Sequence, residues 1–247
     1  MKILIQRISA VVLVLAWAHV SSAQTADEVI EKSIAAMGGR AAMEKIKTRS
    51  MTGTIALSTP AGEIPGTIEI QNAVPNKTRT MIKADLTAFG AGQLEVDQRF
   101  DGATGYVYDS MQGDRPIGGS QLDNMKSNSF PHPFLSYKTA GTSAKLTGKE
   151  KVGTRDAFVL LFEPAVGSPV KQYVDAESYL PIRTMITVDI PQAGAVEQTA
   201  EASDFRDIDG VKVPFKLQVS SSVQSFAITF SKIENNTAID DKLFSKK

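Results

Sequence analysis

The stretch Thr48-Arg49-Ser50-Met51-Thr52-Gly53-Thr54-Ile55-Ala56-Leu57 changes the period of the chain from helical to two. Met51, Gly53, Ile55 and Leu57 alternate with polar or small residues, and the turn Thr59-Pro60-Ala61-Gly62 follows. In an extended chain such alternation sends one set of side chains to a buried face and the other to water, the pattern of an antiparallel strand. The same period recurs downstream. Ile68 and Ile70 oppose Thr67, Glu69 and Gln71, and Leu94, Val96 and Phe100 alternate with Glu95, Asp97 and Arg99. Asp101-Gly102, Asp209-Gly210 and the Gly153 region supply tight-turn chemistry between neighbours. Ala157 to Phe162 is apolar on both faces, which predicts a central strand covered from both sides. Residues 170–175, 181–189, 196–205, 213–219 and 226–233 continue in meander order. About ten or eleven strands are expected, with no long helix between them and therefore no room for βαβ units.

Upstream of that stretch the period is helical. Thr25 and Glu28 form a capping-box pair, Val29, Ile30, Ile34 and Met37 fall on one stripe, and Gly38-Gly39 ends the helix. Ala42, Met43 and Ile46 mark a short second turn. Residues 1–23 have the grammar of a secretory signal: Lys2 and Arg7, the apolar run Ile8 to Val20, then Ser21-Ser22-Ala23 before a cleavage point at Gln24. The apolar run is shorter than the ~20 residues that span a bilayer, and no other stretch is long enough. The expected location is periplasmic or secreted, with no transmembrane segment after cleavage. No cysteine follows the signal, so no cysteine-borne lipid anchor is expected.

Without residues 1–23, 224 remain, carrying 25 Lys and Arg against 27 Asp and Glu and no basic block. That balance argues against a nucleic-acid partner, whose phosphates demand clustered cations. The absence of cysteine excludes thiolate zinc sites, CxxC redox chemistry and cysteine nucleophiles. One domain over residues 24–247 is expected, with Gly113 to Gly141 as an excursion covering the sheet. Within it Gly113 to Gly119 reads as a loop, and Ser120 with Asp123 caps a short helix through Lys126 that carries Leu122 and Met125 on one side. Prolines make Phe130-Pro131-His132-Pro133-Phe134-Leu135 irregular, and its aromatics are out of place in a mere linker.

Candidates for chemistry are few. His19 leaves with the signal, so His132 stands alone between two prolines; with no cysteine and no second histidine, a surface or loop-packing role suits it better than base or metal-ligand chemistry. There is no G-x-S-x-G elbow. Asp207-Ile208-Asp209-Gly210 lacks the rest of a calcium loop and reads as a hairpin turn. Gly90-Ala91-Gly92 precedes a strand, not the helix a phosphate loop requires. Asp240-Asp241 reads as a solvated tail. No catalytic residue, metal ligand or cofactor is nominated.

A sheet this wide must twist and curl, and its concave face needs filling. Periodicity leaves two outcomes open, a packed core or an apolar cavity for an acyl chain. The inward candidates are Ile55, Leu57, Ile68, Ile70, Leu94, Val96 and Phe100 on the first sheet half. Val29, Ile30 and Ile34 join them from the helix, and Leu122 and Met125 form a movable lid.

Several segments, in order, carry a resemblance. They are Ala26-Asp27-Glu28-Val29-Ile30 through Met37-Gly38-Gly39, then Thr52-Gly53-Thr54, Phe100-Asp101-Gly102-Ala103-Thr104-Gly105 and His132-Pro133-Phe134-Leu135-Ser136-Tyr137. Gly148-Lys149-Glu150-Lys151-Val152, Gln172 through Pro181 and Asp204 through Phe215 complete the set. Together they resemble the bacterial outer-membrane lipoprotein-sorting and lipoprotein-carrier proteins of the LolA-like superfamily. The resemblance implies a mainly β (α+β) fold: a single large curled antiparallel sheet, an unclosed β-barrel wrapped around an N-terminal helix, with a hydrophobic cavity. It also implies a periplasmic, non-enzymatic carrier or binding protein for lipid or lipoprotein acyl chains. The alternative is an interaction module that assembles envelope proteins through a sheet edge or the convex face, without a lipid ligand. A hydrolase with a cryptic carboxylate pair ranks last, because no pair is nominated.

Overall fold

The alternating stretch at Thr48 opens the first strand of a sheet in the computed structural model, which describes residues 24–60, 62–190 and 193–247. The expected signal segment 1–23 lies outside the described residues. One meander runs through β1 (Thr48–Thr59), β2 (Gly62–Ala73), β3 (Lys77–Asp85), β4 (Gln93–Phe100), β5 (Gly105–Asp109) and β6 (Arg115–Ile117). A second runs through β7 (Ser143–Val152), β8 (Arg155–Glu163), β9 (Val170–Asp175), β10 (Pro181–Ile190), β11 (Gly194–Ile208), β12 (Val211–Ser221) and β13 (Ser225–Asn235). Antiparallel pairing of β1 with β13 joins them into one 13-stranded sheet in the order β6-β5-β4-β3-β2-β1-β13-β12-β11-β10-β9-β8-β7. The edges β6 and β7 do not meet, so the curled sheet stays open. The strand count exceeds the expectation partly because Arg115–Ile117, read as loop, pairs with β5. Pro116 is tolerated there because an edge strand leaves one side without ladder bonds.

Helix α1 (Ala26–Ala36) starts where expected: the Thr25 side chain accepts from Glu28 N at 3.2 Å, and Glu28 accepts from Thr25 N at 3.0 Å. Val29, Ile30 and Ile34 lie buried against concave-face residues of both meanders, among them Ile55, Ile68, Phe158, Leu160 and Phe230. Past the helix, Gly38 has φ +121°, and a Cβ on it would lie 1.9 Å from the carbonyl oxygen of Gly210. Met37 O accepts from Lys212 N at 2.8 Å, so the helix exit is pressed onto the β11–β12 hairpin. That hairpin is the expected one: Asp209 and Gly210 both have positive φ, 55° and 79°, as a two-residue connection between right-twisted strands requires. A short helix α2 (Arg40–Glu44) adds Met43, followed by Ile46, to the core.

The excursion becomes a strap from one sheet edge to the other. It holds α3 (Gly119–Ser127) and a 3-10 turn at Pro133–Leu135. The cap of α3 is Gly118, without a side-chain bond, whereas the sequence pointed to Ser120. The Ser120 hydroxyl is drawn instead to Asp189 at the end of β10. Asn124 Nδ2 donates to Thr187 O at 3.2 Å, and its Oδ1 accepts from Ser168 N at 2.6 Å. On the other side Gln121 reaches Gln98 of β4 at 3.4 Å. The helix thus spans from β4 to β10 over the concave side.

Two expectations are corrected. Ala157 to Phe162 lies in β8, next to the edge strand, and is not central. Both its faces are buried nonetheless: Phe158, Leu160 and Phe162 join the main core, while Ala157 and Val159 join Val152, Tyr173 and Ile182 in a second cluster. Burial on two faces reads as covering, not as position in the sheet. The face bearing Asp97 and Arg99, expected to be wet, is buried, with Asp97 0% exposed. Its cover is the C-terminal segment, read from the sequence as a polar tail, in which Asp240 and Asp241 are exposed as expected. A 3-10 turn at Asp241–Phe244 buries Phe244, and Lys247 Nζ comes to 3.4 Å from Asp97. Asp241 itself stays exposed and pairs with Lys77.

Both edges are blunted. β6 has three residues including Pro116, and β7 carries Lys145, Lys149, Glu150 and Lys151 with a register break between Leu146 and Gly148. Short, charged, bulged edges resist pairing with another chain.

Gly38→Ala should cost at least about 2 kcal/mol through clash and positive φ. Gly39→Ala, with open space around it, should cost about 1 kcal/mol. Equal urea midpoints for the two variants would contradict the close approach. Asp97 gives a pH test. Burial alone would raise its pKa, but hydrogen bonds and charge from Arg79 and Arg99 hold it at about 2. A carboxylate held below its unfolded value of about 3.9 contributes its stability above that pH and loses it as pH falls through the folded value. Asp97→Asn should flatten this part of the acid unfolding profile and lower stability at pH 7 by roughly 3 kcal/mol.

Candidate functional site

Between the strap and the concave face of β8, β9 and β10 lies a cavity of about 370 Å³. Its apolar wall comes from Phe134 and Tyr137 of the strap and from Phe162, Val170 and Ile186 of the sheet. Phe134 stacks on Phe162 at 5.5 Å between centroids, and Tyr137 meets the same ring edge-on at 5.8 Å. Polar groups of Asn124, Ser127 and Ser129 rim the cavity.

The strap is hung on the N-terminal helix by polar contacts. Tyr137 Oη donates to Asp27 at 2.5 Å, and Lys138 pairs with the same carboxylate. Arg40 donates to Leu135 O at 3.2 Å and pairs with Glu31. At the other end Phe130 N donates to Pro75 O at 2.7 Å. The prolines explain this path: Pro131 and Pro133 lack the N–H a strand ladder needs, so the segment crosses the sheet without joining it.

Two smaller cavities adjoin the first around Pro131–Pro133. One, of about 210 Å³, is walled by Met37, Met43, Arg49, Phe205 and Leu217 and shares His132, Gln172 and Thr184 with the main cavity. The other, of about 230 Å³, is polar, with Arg49, Asn72, Asn76, Lys77 and Ser129. A separate cavity of about 350 Å³ lies beside Tyr106 and Phe244, under the C-terminal segment.

His132 stands at the junction. Its Nδ1 accepts from Phe134 N at 3.2 Å, which places the proton of the neutral ring on Nε2, and the ring lies edge-on to Phe134 at 4.5 Å. Burial, and then the nearby Arg49 guanidinium, push its pKa down to about 4. Of the two roles expected for it, surface or loop packing, this setting is packing. Gln172 forms the seam between the two cavities: its Nε2 donates to Arg183 O at 2.8 Å, and its Oε1 accepts from Thr184 at 2.9 Å. Arg49, 8% exposed, donates from Nε to Asn235 Oδ1 at 2.8 Å and lies 5.6 Å over the Phe130 ring.

The inward candidates of the sequence sit elsewhere. Val29, Ile30, Ile34, Ile55 and Ile68 are main core, Leu57 and Ile70 pack against it, and Phe100 is fully buried. Leu94, Val96, Leu122 and Met125 are half-buried. None of them lines these cavities. The cavity wall comes from the second meander and the strap, which the sequence reading passed over. A signal was present: positions 170, 172, 184 and 186 hold Val, Gln, Thr and Ile opposite an aromatic, proline-bound run. Mid-sized concave residues, with no aromatic ring among them, facing a strap that cannot sink into the sheet leave space. Among the described residues, no group of three or more His, Asp or Glu is placed to hold a metal, and no helix is long and apolar enough to cross a membrane.

Solved structures share this architecture. A LolA superfamily protein from Nitrosomonas europaea superposes with TM-score 0.57 at 16% identity, covering 91% of this chain and 99% of that one. A DUF1329 family protein from Desulfovibrio piger gives 0.56 at 14% identity, with 89% and 97% covered. An outer membrane lipoprotein-sorting domain from Vibrio parahaemolyticus gives 0.54 at 11% identity, with 88% and 95% covered. The fold is LolA-like, as the motif order implied. No family profile matches the chain, and no curated protein sequence matches it.

His132 is the sole histidine of residues 24–247, so its ring proton can be followed by NMR without assignment. The expected titration midpoint is about 4. Because the fold favours the neutral ring, stability should be full above about pH 6.5 and should fall as pH drops toward the folded value. A midpoint near 6.5 would show the ring solvated and the strap differently packed.

Proposed function

We propose that this protein is a non-enzymatic carrier or binding protein for the acyl chains of a lipid or lipoprotein, acting in the periplasm or otherwise outside the cytoplasm. The observation that carries this reading is the apolar cavity held between the strap and β8–β10. Its volume of about 370 Å³ falls in the range of small-molecule sites. Each methylene buried there would add ~0.8 kcal/mol. The fold agrees with it, since one of the superposed structures is a lipoprotein-sorting domain.

The strap also suits loading. Its polar ties at Asp27, Arg40 and Asn124 can be replaced by water when the strap lifts, and its apolar hold is the packing of Phe134 and Tyr137 on Phe162. Helix α3, which carries Leu122 and Met125, serves as the lid in this reading. The blunted edges β6 and β7 weigh against the alternative of an assembly module that works by strand pairing.

Ile186 projects into the cavity, whereas Ile55 is packed core. Ile186→Trp should therefore fill the cavity and weaken displacement of a fluorescent fatty acid at least tenfold, roughly, with little change in melting temperature. Ile55→Trp should lower the melting temperature instead. Equal binding by wild type and Ile186→Trp would overturn the site. Wild-type protein that neither displaces the probe nor yields lipid on extraction would overturn the function.

A further inference from the structure

We propose that Arg49 receives the anionic head, carboxylate or phosphate, of a single-chain amphiphile whose acyl part occupies the neighbouring apolar cavity. This rests on the acyl-binding reading above and adds a second requirement to it.

Arg49 opposes Asn235 of β13 and Asn72 of β2, near the start of the strand that joins the two meanders. It is 8% exposed. Every other arginine among the described residues has a carboxylate partner. Arg40 has Glu31, Arg79 and Arg99 share Asp97, Arg115 has Asp109, Arg155 has Asp175, Arg183 has Glu201 and Arg206 has Asp204. Arg49 has none among the described residues. Its Nε is taken by the Asn235 amide and its plane rests on Phe130, while neither Nη donates to a described residue. A guanidinium offers five N–H donors, and a buried charge left without a counter-charge is strongly unfavourable. Burial draws its pKa down to about 10, so it stays cationic at neutral pH.

The surroundings fit an anion. Arg49 lines the two smaller cavities, and no Asp or Glu lines either of them or the main one. The other cations on these walls are Lys212 in one and Lys77 in the other. The neighbouring His132 is neutral and cannot supply the missing negative charge. The Asn235 amide is turned so that Oδ1 faces Arg49 while Nδ2 donates to Asp209 at 3.2 Å, which holds the guanidinium in place. The cavity beside Arg49 shares His132, Gln172 and Thr184 with the space walled by Phe134, Phe162 and Ile186, so the two are adjacent. A fork of N–H donors at one end and an apolar chamber at the other describe a fatty acid or a lysophospholipid more closely than a neutral acyl chain.

The test compares four probes on the chain of residues 24–247: oleate, oleoyl lysophosphatidate, oleyl alcohol and inorganic phosphate. Oleate or the lysophosphatidate should bind at least about tenfold tighter than the alcohol, as one charge-assisted pair allows, and which of the two binds tighter identifies the head. Arg49→Gln and Arg49→Met should erase that preference while leaving affinity for the alcohol unchanged. Phosphate alone should not compete with oleate. Arg49→Met should melt no lower than wild type, because it removes an uncompensated buried charge. Equal affinity for oleate and alcohol in the wild type would overturn the role of Arg49 and leave the acyl reading standing. No binding of any of the three oleoyl probes would overturn the acyl reading itself. Competition by phosphate would overturn the amphiphile in favour of a free anion. A melting temperature lowered by several degrees in Arg49→Met, with the preference retained, would assign Arg49 to structure.

Discussion

The pairing of β1 with β13 is the contact from which the remaining geometry follows. It joins residues from opposite ends of the chain, with Arg49 opposite Asn235 and Leu57 opposite Phe226. By placing the first and last strands side by side in the middle of the sheet, it sends β6 and β7, successive in sequence, to opposite edges. The connection between them must then travel from edge to edge. A curled sheet has a concave side that needs covering, and the connection crosses there as the strap. The helix exit is tied to the same arrangement, since Gly38 can approach Gly210 only because it carries no side chain. Sheet order, strap and cavity are thus consequences of one long-range ladder.

The two faces solve burial differently. On the convex side the C-terminal segment covers β3 and β4, and the carboxylate it buries is paired: Asp97 accepts from Arg79 at 2.9 Å and from Arg99 at 2.7 Å. The network is closed, which suits a structural role. On the concave side α1 fills the centre with Val29, Ile30 and Ile34, and the strap covers the flank over β8–β10. Rigid prolines and the rings of Phe134 and Tyr137 hold the strap off the sheet, so that flank remains hollow. Arg49 is buried beside the hollow with only an amide and a ring for company. Asp97 on one side of the sheet is thus fully engaged by guanidinium groups, whereas Arg49 on the other has no carboxylate among the described residues.

Local chemistry was readable in advance wherever a few neighbouring residues decide the outcome. The capping box of Thr25 and Glu28, the Gly38-Gly39 exit and the Asp209-Gly210 hairpin all form as their residue types require. The alternation in β1 and β2 shows which residues face the core, with Ile55 and Ile68 buried as it indicates. For His132 the lack of a second histidine or a cysteine pointed to a surface or loop-packing role, and the tertiary structure chose packing. The burial of Asp97 was not legible, because its cover arrives from residues 241–247, far along the chain. The position of β8 was not legible either, since apolar residues on both faces report covering and not sheet order.

The amino-acid sequence by itself determined the class of fold: a helix with its cap, then meandering antiparallel strands, with motifs in the order of a LolA-like chain. These depend on period, turn residues and capping, which act over a few residues. The tertiary structure alone decided where the space lies. Val29, Ile30, Ile34, Ile55 and Ile68, nominated as lining, became packed core, while the hollow opened between a strap and three strands of the second meander. A cavity is a difference between two surfaces distant in sequence, and neither surface carries the shape of the other. The missing counter-charge of Arg49 belongs to the same category, because a guanidinium is unmatched only once every carboxylate has been placed.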